Sequence, residues 1–308
     1  MIRDPLLYRY AQLTVVFAAF VIFAGAMVTS TGSGMAVPDW PQSFGTWTPK
    51  MEGGVFYEHG HRAVAGALGL LVMVLALWAW VKEPRGWARI ISWGALIAVL
   101  VQAALGGLTV LLGTFNEWTH TSPVVSSLHA TLAQLLFATL VAFATVNAPG
   151  WWSQAPRRNA PRSLALQGAA LSILVLVQIV LGAVMRHQQA GLIISDFPLN
   201  HGHLLPFFEN WLVGLNFAHR VGAWTLAIWG TWFAWGVASD VELDPWVRRP
   251  AMFLLAAITL QFFLGASVVW TRLMWPLLTS AHVVGGSLVF TSSLVLAIRL
   301  RRVARPLV

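Results

Sequence analysis

The stretch HRAVAGALGLLVMVLALWAWVK, residues 61–82, places an ionisable ring and a guanidinium at the mouth of a long apolar run. A second stretch, HRVGAWTLAIWGTWFAWGV at 219–237, opens on the same dipeptide. Two further histidines, His129 in SLHATLAQLLFATLVAFATV (127–146) and His282 in AHVVGGSLVFTSSLVLAI (281–298), also stand near one end of such a run. Runs of about twenty apolar residues match the roughly 30 Å of a bilayer's hydrocarbon. An ionisable side chain inside that layer is costly, so each of the four is a candidate functional residue.

The rest of the composition agrees with a membrane chain. Of 308 residues, 57% are hydrophobic and 10% charged, with a mean hydropathy of +0.70, which is too apolar for a soluble globule of this length. Eight runs are predicted to span, near 11–30, 62–82, 89–112, 123–146, 164–186, 211–237, 250–271 and 277–299. Their lack of period-two alternation makes them helices rather than barrel strands. The first run is too long for a cleaved leader and has no small-residue cleavage site, so it reads as a retained helix that also directs insertion.

The net charge of +8 is a topology signal and needs no nucleic acid to explain it. With alternating helices, Arg3, Arg9, Lys82, Arg85, Arg89, Arg157, Arg158, Arg162, Arg248, Arg249, Arg299, Arg301, Arg302 and Arg305 all fall on one side. Only Lys50, Arg62, Arg186, Arg220 and Arg272 fall on the other, so the positive-inside rule puts both termini in the cytoplasm and the histidines near the outer face. Tryptophans near run ends, among them Trp40, Trp47, Trp87, Trp118, Trp151, Trp152, Trp246 and Trp275, read as interfacial anchors. The absence of cysteine excludes disulfides, iron–sulfur clusters and zinc–thiolate sites.

The chain repeats itself. At an offset of 157, Gly25, Gly34, Asp39 and Pro41 meet Gly182, Gly191, Asp196 and Pro198. His61-Arg62 meets His219-Arg220 at 158, Gln102 and Leu105-Gly106 meet Gln261 and Leu264-Gly265 at 159, and Ser127 and His129 meet Ser280 and His282 at 153. A slowly drifting offset is what small loop insertions produce, so two four-helix halves are expected: 1–148, a basic and proline-bearing cytoplasmic linker at 149–162 (Pro149, Pro156, Pro161), and 163–308. An even number of spans per half makes the repeats parallel.

Two imidazoles facing each other across a four-helix bundle are a common way to hold heme iron between helices. A small residue follows each histidine one turn on, at Ala65, Ala133, Ala223 and Gly286, leaving room for a flat macrocycle. Histidines hydrogen-bonded between helices are the bland alternative, and four at one depth in two repeats argue against it. Zinc or copper would need three or four ligands clustered in one half. Arg62 and Arg220 could pair with heme propionates or snorkel to water and lipid phosphate. His59, His120, His187, His201 and His203 lie in or near outer loops, where solvated surface histidines are the rule; His201-Gly202-His203 could take a metal adventitiously.

The halves differ at one position. Glu58 stands three residues before His61, on the same helical face, where the second half has Asn216 before His219. A carboxylate can move protons or stabilise positive charge and an amide cannot. This marks the first half as the place of chemistry and the second as a cofactor holder. An acidic residue in the first turn of a helix can also serve merely as a cap.

Taken together, Glu58-His59-Gly60-His61-Arg62, Ser127-Leu128-His129, Asn216-Phe217-Ala218-His219-Arg220 and Ala281-His282, with Gly32-Ser33-Gly34 and Pro38-Asp39-Trp40-Pro41, resemble the heme A synthase family over nearly the whole chain. The resemblance implies an all-α integral membrane protein of eight transmembrane helices in two pseudo-symmetric four-helix bundles. It implies oxidation of the C8 methyl of heme O to a formyl group by two successive hydroxylations, the diol then losing water. His219 and His282 would ligate a heme b cofactor, His61 and His129 would lie at the substrate heme, and Glu58 would match the essential carboxylate. The implied setting is the cell membrane, with lipid, heme O, an electron donor and the heme O-forming farnesyltransferase as partners, and oligomers are compatible with it. Many relatives carry an outer-loop cysteine pair that this chain lacks, so thiol-dependent steps cannot operate here. If both histidines hold the substrate iron, either one ligand leaves or oxidation proceeds without oxygen binding there.

Two other functions share some of these features. A diheme cytochrome b passing electrons from quinol would carry two permanent, near-equivalent hemes, usually at different depths. A transporter would need broken helices or polar midplane groups, whereas the central portions of these spans are almost uninterrupted Leu, Val and Ala.

Overall fold

The computed structural model describes residues 4–115, 121–153 and 160–304. Arg3, Trp118, His120, Pro156, Arg157, Arg158 and Arg305 lie outside the described residues. The elements in chain order are α1 (Pro5–Ser30), α2 (Gly54–Lys82), α3 (Gly86–Phe115), α4 (Pro123–Asn147), α5 (Pro149–Ser153), α6 (Arg162–His187), α7 (Trp211–Thr225), α8 (Thr231–Ser239), α9 (Pro245–Trp270) and α10 (Pro276–Val303). Among the described residues there are no strands beyond isolated bridges.

Seven of these helices, α1 to α4, α6, α9 and α10, are long and apolar enough to cross a membrane. The eighth expected run, 211–237, is helical throughout, but Leu226–Gly230 takes π-helical hydrogen bonding between α7 and α8. That wide turn divides the run into pieces each shorter than a span, which a sequence pattern of apolar residues does not register. Several helices, α1, α2, α3 and α9 among them, also begin earlier than the apolar runs do. Asp4 caps α1 through Leu6 N and Leu7 N, and Asp244 caps α9 through Trp246 N, polar work that hydropathy does not see.

By contacts the chain divides into two compact units, Met1–Val146 with Thr279–Val284, and Asn147–Leu278 with Gly285–Val308. In the first unit, α1 to α4 share one core that includes Ala11, Ala18, Leu75, Ala79, Val99, Leu140 and Phe143. Lipid is as apolar as these side chains, so close packing around small residues, more than expulsion from water, holds them. Large apolar side chains such as Leu70, Ile90 and Leu100 remain exposed on the outside, as a lipid-facing surface requires. In the second unit, α6 meets α10 closely enough at Gly168 that a Cβ there would lie 3.3 Å from Ala297 Cα. Ala160 N donates to Val303 O at 2.9 Å, which ties the chain entering α6 to the end of α10.

The loops after α1 and α6 are built alike. Asp39 accepts from Phe44 N at 2.7 Å and Gly45 N at 2.8 Å; Asp196 accepts from His201 N at 2.7 Å and Gly202 N at 2.9 Å. Each loop has a cis X-Pro bond, Trp40-Pro41 or Phe197-Pro198, and an isolated bridge, Ser43 with Thr46 or Asn200 with His203. Phe44 and His201 both take positive φ, at 54° and 53°, each followed by a glycine that does the same. The aspartate compensates for that unfavourable backbone by holding both amides.

The amide of Gly45, followed by that of Phe44 and the charge of Arg62, outweighs solvent loss and holds the Asp39 carboxyl below its ordinary range. Burial pushes Asp196 up, but the Gly202 and His201 amides and Arg220 bring it down overall. A carboxyl lowered in the folded state stabilises that state above its unfolded value and stops doing so as pH falls through the lowered one. Melting of the purified protein in detergent should therefore be flat near neutrality and drop in acid below the ordinary carboxylate range. Asp39→Asn with Asp196→Asn should lower the neutral-pH melting point and flatten the acid limb.

Candidate functional site

His61, His129, His219 and His282 each sit about two turns from a helix start. In α2 and α7 the side chain reaches a glycine of the preceding helix. A Cβ on Gly25 would lie 2.9 Å from His61 Cε1, and one on Gly182 would lie 2.9 Å from His219 Cε1. On α4, His129 rests on Gly106 of α3, where a Cβ would lie 3.1 Å from its Cε1. Any larger residue would push the ring off its seat. All four histidines, with His282 on α10, are half-buried. Nδ1 of His61, His129 and His219 is nevertheless buried without a hydrogen-bond partner. Ala65, Ala133, Ala223 and Gly286 are half-buried as well.

Glutamines hold two of the histidine backbones. Gln178 Nε2 donates to the His219 carbonyl at 2.7 Å. Gln102 Nε2 donates to the His129 carbonyl at 3.0 Å and lies 3.2 Å from His129 Nε2. Gly222 admits Gln178, since a Cβ there would collide with the amide oxygen. An intramembrane glutamine is expensive unless bonded across helices, and that cost was the available signal. The repeat alignment contained Gln102 and both Gly25 and Gly182 without giving them a role, and Gln178 was missed because its counterpart in the first half is Val21. His61 and His129 are near enough to interact electrostatically.

Glu58 is not a cap. Helix α2 opens at Gly54 with no side-chain cap, and Glu58 lies a turn inside it, 4% exposed. Its Oε2 accepts from Val37 N at 3.0 Å and its Oε1 from Arg62 Nη2 at 2.5 Å. Arg62 Nη1 also donates to the carbonyls of Asp39 at 2.6 Å and Gln42 at 2.8 Å. The second half repeats this staple without the charge. Arg220 Nη1 donates to the carbonyls of Asp196 at 2.6 Å and Leu199 at 2.8 Å, and Nη2 to that of Ile194 at 2.7 Å. Its Nε donates to Asn216 Oδ1 at 2.9 Å, while Asn216 Nδ2 donates to Ala190 O at 2.9 Å.

Each guanidinium is thus shared between loop and helix: Arg62 Nη1 serves loop carbonyls and Nη2 Glu58, while Arg220 Nη1 and Nη2 serve loop carbonyls and Nε Asn216. His59, in the second turn of α2 beside the loop, has Nδ1 2.7 Å from Ser43 Oγ, a third tie between loop and helix. His203 packs edge-on against Phe207, and among the described residues no group of three or more His, Asp or Glu side chains is placed to hold a metal ion.

Hydrogen bonds to charged groups contribute about 1.5–3 kcal/mol each, so losing one shifts a local opening equilibrium about tenfold or more. In Arg62→Ala, amide exchange at Val37, Phe44 and Gly45 should accelerate by at least that factor while residues 190–203 stay protected. Arg220→Ala should show the reverse pattern. Equal protection of both loops in both variants would mean that the arginines do not hold them.

Sequence comparisons agree with this layout. Residues 52–294 match the model of the cytochrome oxidase assembly protein family, COX15-CtaA. A protein named heme A synthase from Geobacillus kaustophilus is 28% identical over 279 residues, covering 86% of this chain and 82% of its own. Another of that name from Symbiobacterium thermophilum is 31% identical over 249 residues, covering 79% of this chain and 78% of its own. A third, from Halalkalibacterium halodurans, is 30% identical over 229 residues, with 71% and 72% covered. The apolar helices, the histidine seats and a family match that spans most of the chain converge, and the chain belongs to the cytochrome oxidase assembly protein family.

Proposed function

We propose that this protein is a heme A synthase, an oxidoreductase that converts the C8 methyl of heme O to a formyl group. The observation that carries the reading is the extended similarity to proteins named heme A synthase, joined to two alike histidine seats that differ in one charge, Glu58 against Asn216. In this reading 211–239 is the eighth span despite its π turn, the spans form two related four-helix bundles (1–148 and 163–308), and 149–162 links them. The arginine distribution then places both termini in the cytoplasm and the histidines near the outer face of the cell membrane.

The residues fit a heme. An imidazole whose buried nitrogen lacks a protein partner, seated on glycine with a small residue one turn on, suits a planar macrocycle better than a packed core. His219 and His282 are assigned to heme b, which supplies one-electron redox chemistry when bound. His61 and His129 are assigned to the substrate heme O. Gln178 and Gly182 orient His219; Gln102 and Gly106 orient His129; Gly25 seats His61.

Each hydroxylation inserts one oxygen atom of O2 into a methyl C–H bond and reduces the other to water, with two electrons from an external donor and two protons from solvent. The second yields a geminal diol that loses water to leave the formyl group. Glu58 is assigned proton handling or stabilisation of positive charge at the substrate. The carboxylate reaches that role from an ion pair with Arg62, so the pair fixes its position while the loop above excludes water. Because their donors already hold the loops, Arg62 and Arg220 are assigned to closing the sites; a propionate contact would require exchange of a loop carbonyl for the carboxylate.

Heme extraction and identification after expression with and without a heme O source tests the reading. Heme A should appear only with heme O, beside one tightly held heme b; two equivalent, non-exchangeable b hemes and no heme A would instead indicate a diheme cytochrome. Glu58→Gln should leave the heme b spectrum intact and lower heme A yield by about a hundredfold or more, the usual scale of a lost acid or base. His219→Ala should strip heme b; retention would reverse the assignment of the halves.

A further inference from the structure

The histidine seats differ in what holds the ring. On α3, Gln102 stands four residues before Gly106, so amide and seat share one helical face. Gln178 stands four before Gly182 on α6 in the same way, whereas on α1 the residue four before Gly25 is Val21. His61 therefore has a glycine seat and no glutamine beside it on α1. Among the described residues no hydrogen bond reaches a ring nitrogen of His61 or of His219, since Gln178 Nε2 serves the His219 carbonyl.

His129 is held through its ring as well. Gln102 Nε2 donates to the His129 carbonyl at 3.0 Å and lies 3.2 Å from His129 Nε2. A carbonyl only accepts, so it is the NH2 end of the amide that faces α4, and an NH2 group only donates. His129 Nε2 is then the acceptor, and the neutral ring carries its proton on Nδ1. That leaves Nε2 as the one ring nitrogen with a lone pair for iron, and the same lone pair is engaged by Gln102. One pair cannot serve both.

We propose that Gln102 makes His129 the releasable ligand of the substrate heme and leaves His61 as the fixed one. The inference rests on the assignment of His61 and His129 to heme O and deepens it. When His129 lets go of iron, the iron–nitrogen bond breaks, the electron pair stays on Nε2, and that pair accepts the Gln102 N–H. No proton or electron leaves the ring. A buried imidazole nitrogen released without such a donor would forfeit its hydrogen bonding inside the span, where each unmet group is costly. His61 has no donor of that kind, so release falls to the α4 side, and the substrate heme opens on the face that His129 covers.

The test reads how readily the ligand gives way. Full-length ferrous protein loaded with heme O is titrated with carbon monoxide, which must displace an imidazole, and the spectrum of protein expressed without a heme O source is subtracted. Gln102→Leu removes the competitor, so His129 should hold iron more firmly and carbon monoxide affinity should fall about threefold to tenfold, the span of one hydrogen bond. A support that merely steadied His129 would act in the opposite sense, because its loss would loosen the ligand and raise that affinity. His129→Ala should raise carbon monoxide affinity, and adding Gln102→Leu to it should change nothing further. Unchanged or raised affinity in Gln102→Leu, or an effect of that variant that persists without His129, overturns the proposal. If Gln102→Leu loses the second-half heme b signal and so has not folded, Gln102→Met is read by the same criteria. Heme O held undiminished in both His61→Ala and His129→Ala removes the substrate assignment itself, whatever the Gln102 variants show.

Discussion

An imidazole held within the membrane span has no bulk water to complete its hydrogen bonds, so its position has to come from its neighbours. Here that is achieved by contact with backbone. His61, His129 and His219 lean on Gly25, Gly106 and Gly182, glycines of adjacent helices whose missing side chains are the seats. The small residues in the helix crossings and the glutamine bonds from Gln102 and Gln178 follow from the same requirement. If the helices moved apart, each ring would lose its support, so helix packing and site geometry are one problem in this protein.

The outer loops apply the same logic from above. An arginine one residue past the histidine gathers loop carbonyls, and an aspartate gathers loop amides, so each loop is closed on the helix that carries the ring. The two loops share this architecture in detail, down to the residues with positive φ. What differs is chemical. One staple contains a buried ion pair and the other a neutral amide.

Much of this was legible in the chain. The apolar runs, the histidines at matching depth, the repeat offsets and the exchange of Glu58 for Asn216 are one-dimensional patterns. The π turn at Leu226–Gly230 was not legible, because hydrogen-bond register leaves no trace in hydropathy. Nor were the contacts of Arg62, because the loop carbonyls that meet its guanidinium are twenty or more residues away in sequence. His59 falls on α2 because that helix starts before its apolar run does.

The sequence by itself determined that the chain is helical and apolar enough to cross a membrane many times, with a repeated pattern of residues, four histidines near the ends of apolar runs and one carboxylate where the pattern breaks, because span length, hydropathy and residue identity are local properties. Only the tertiary structure decided which atoms meet: glycine against imidazole, glutamine against carbonyl, and arginine against loop. Those contacts join residues twenty or more positions apart, and which of many polar partners a buried group chooses is set by how the helices pack.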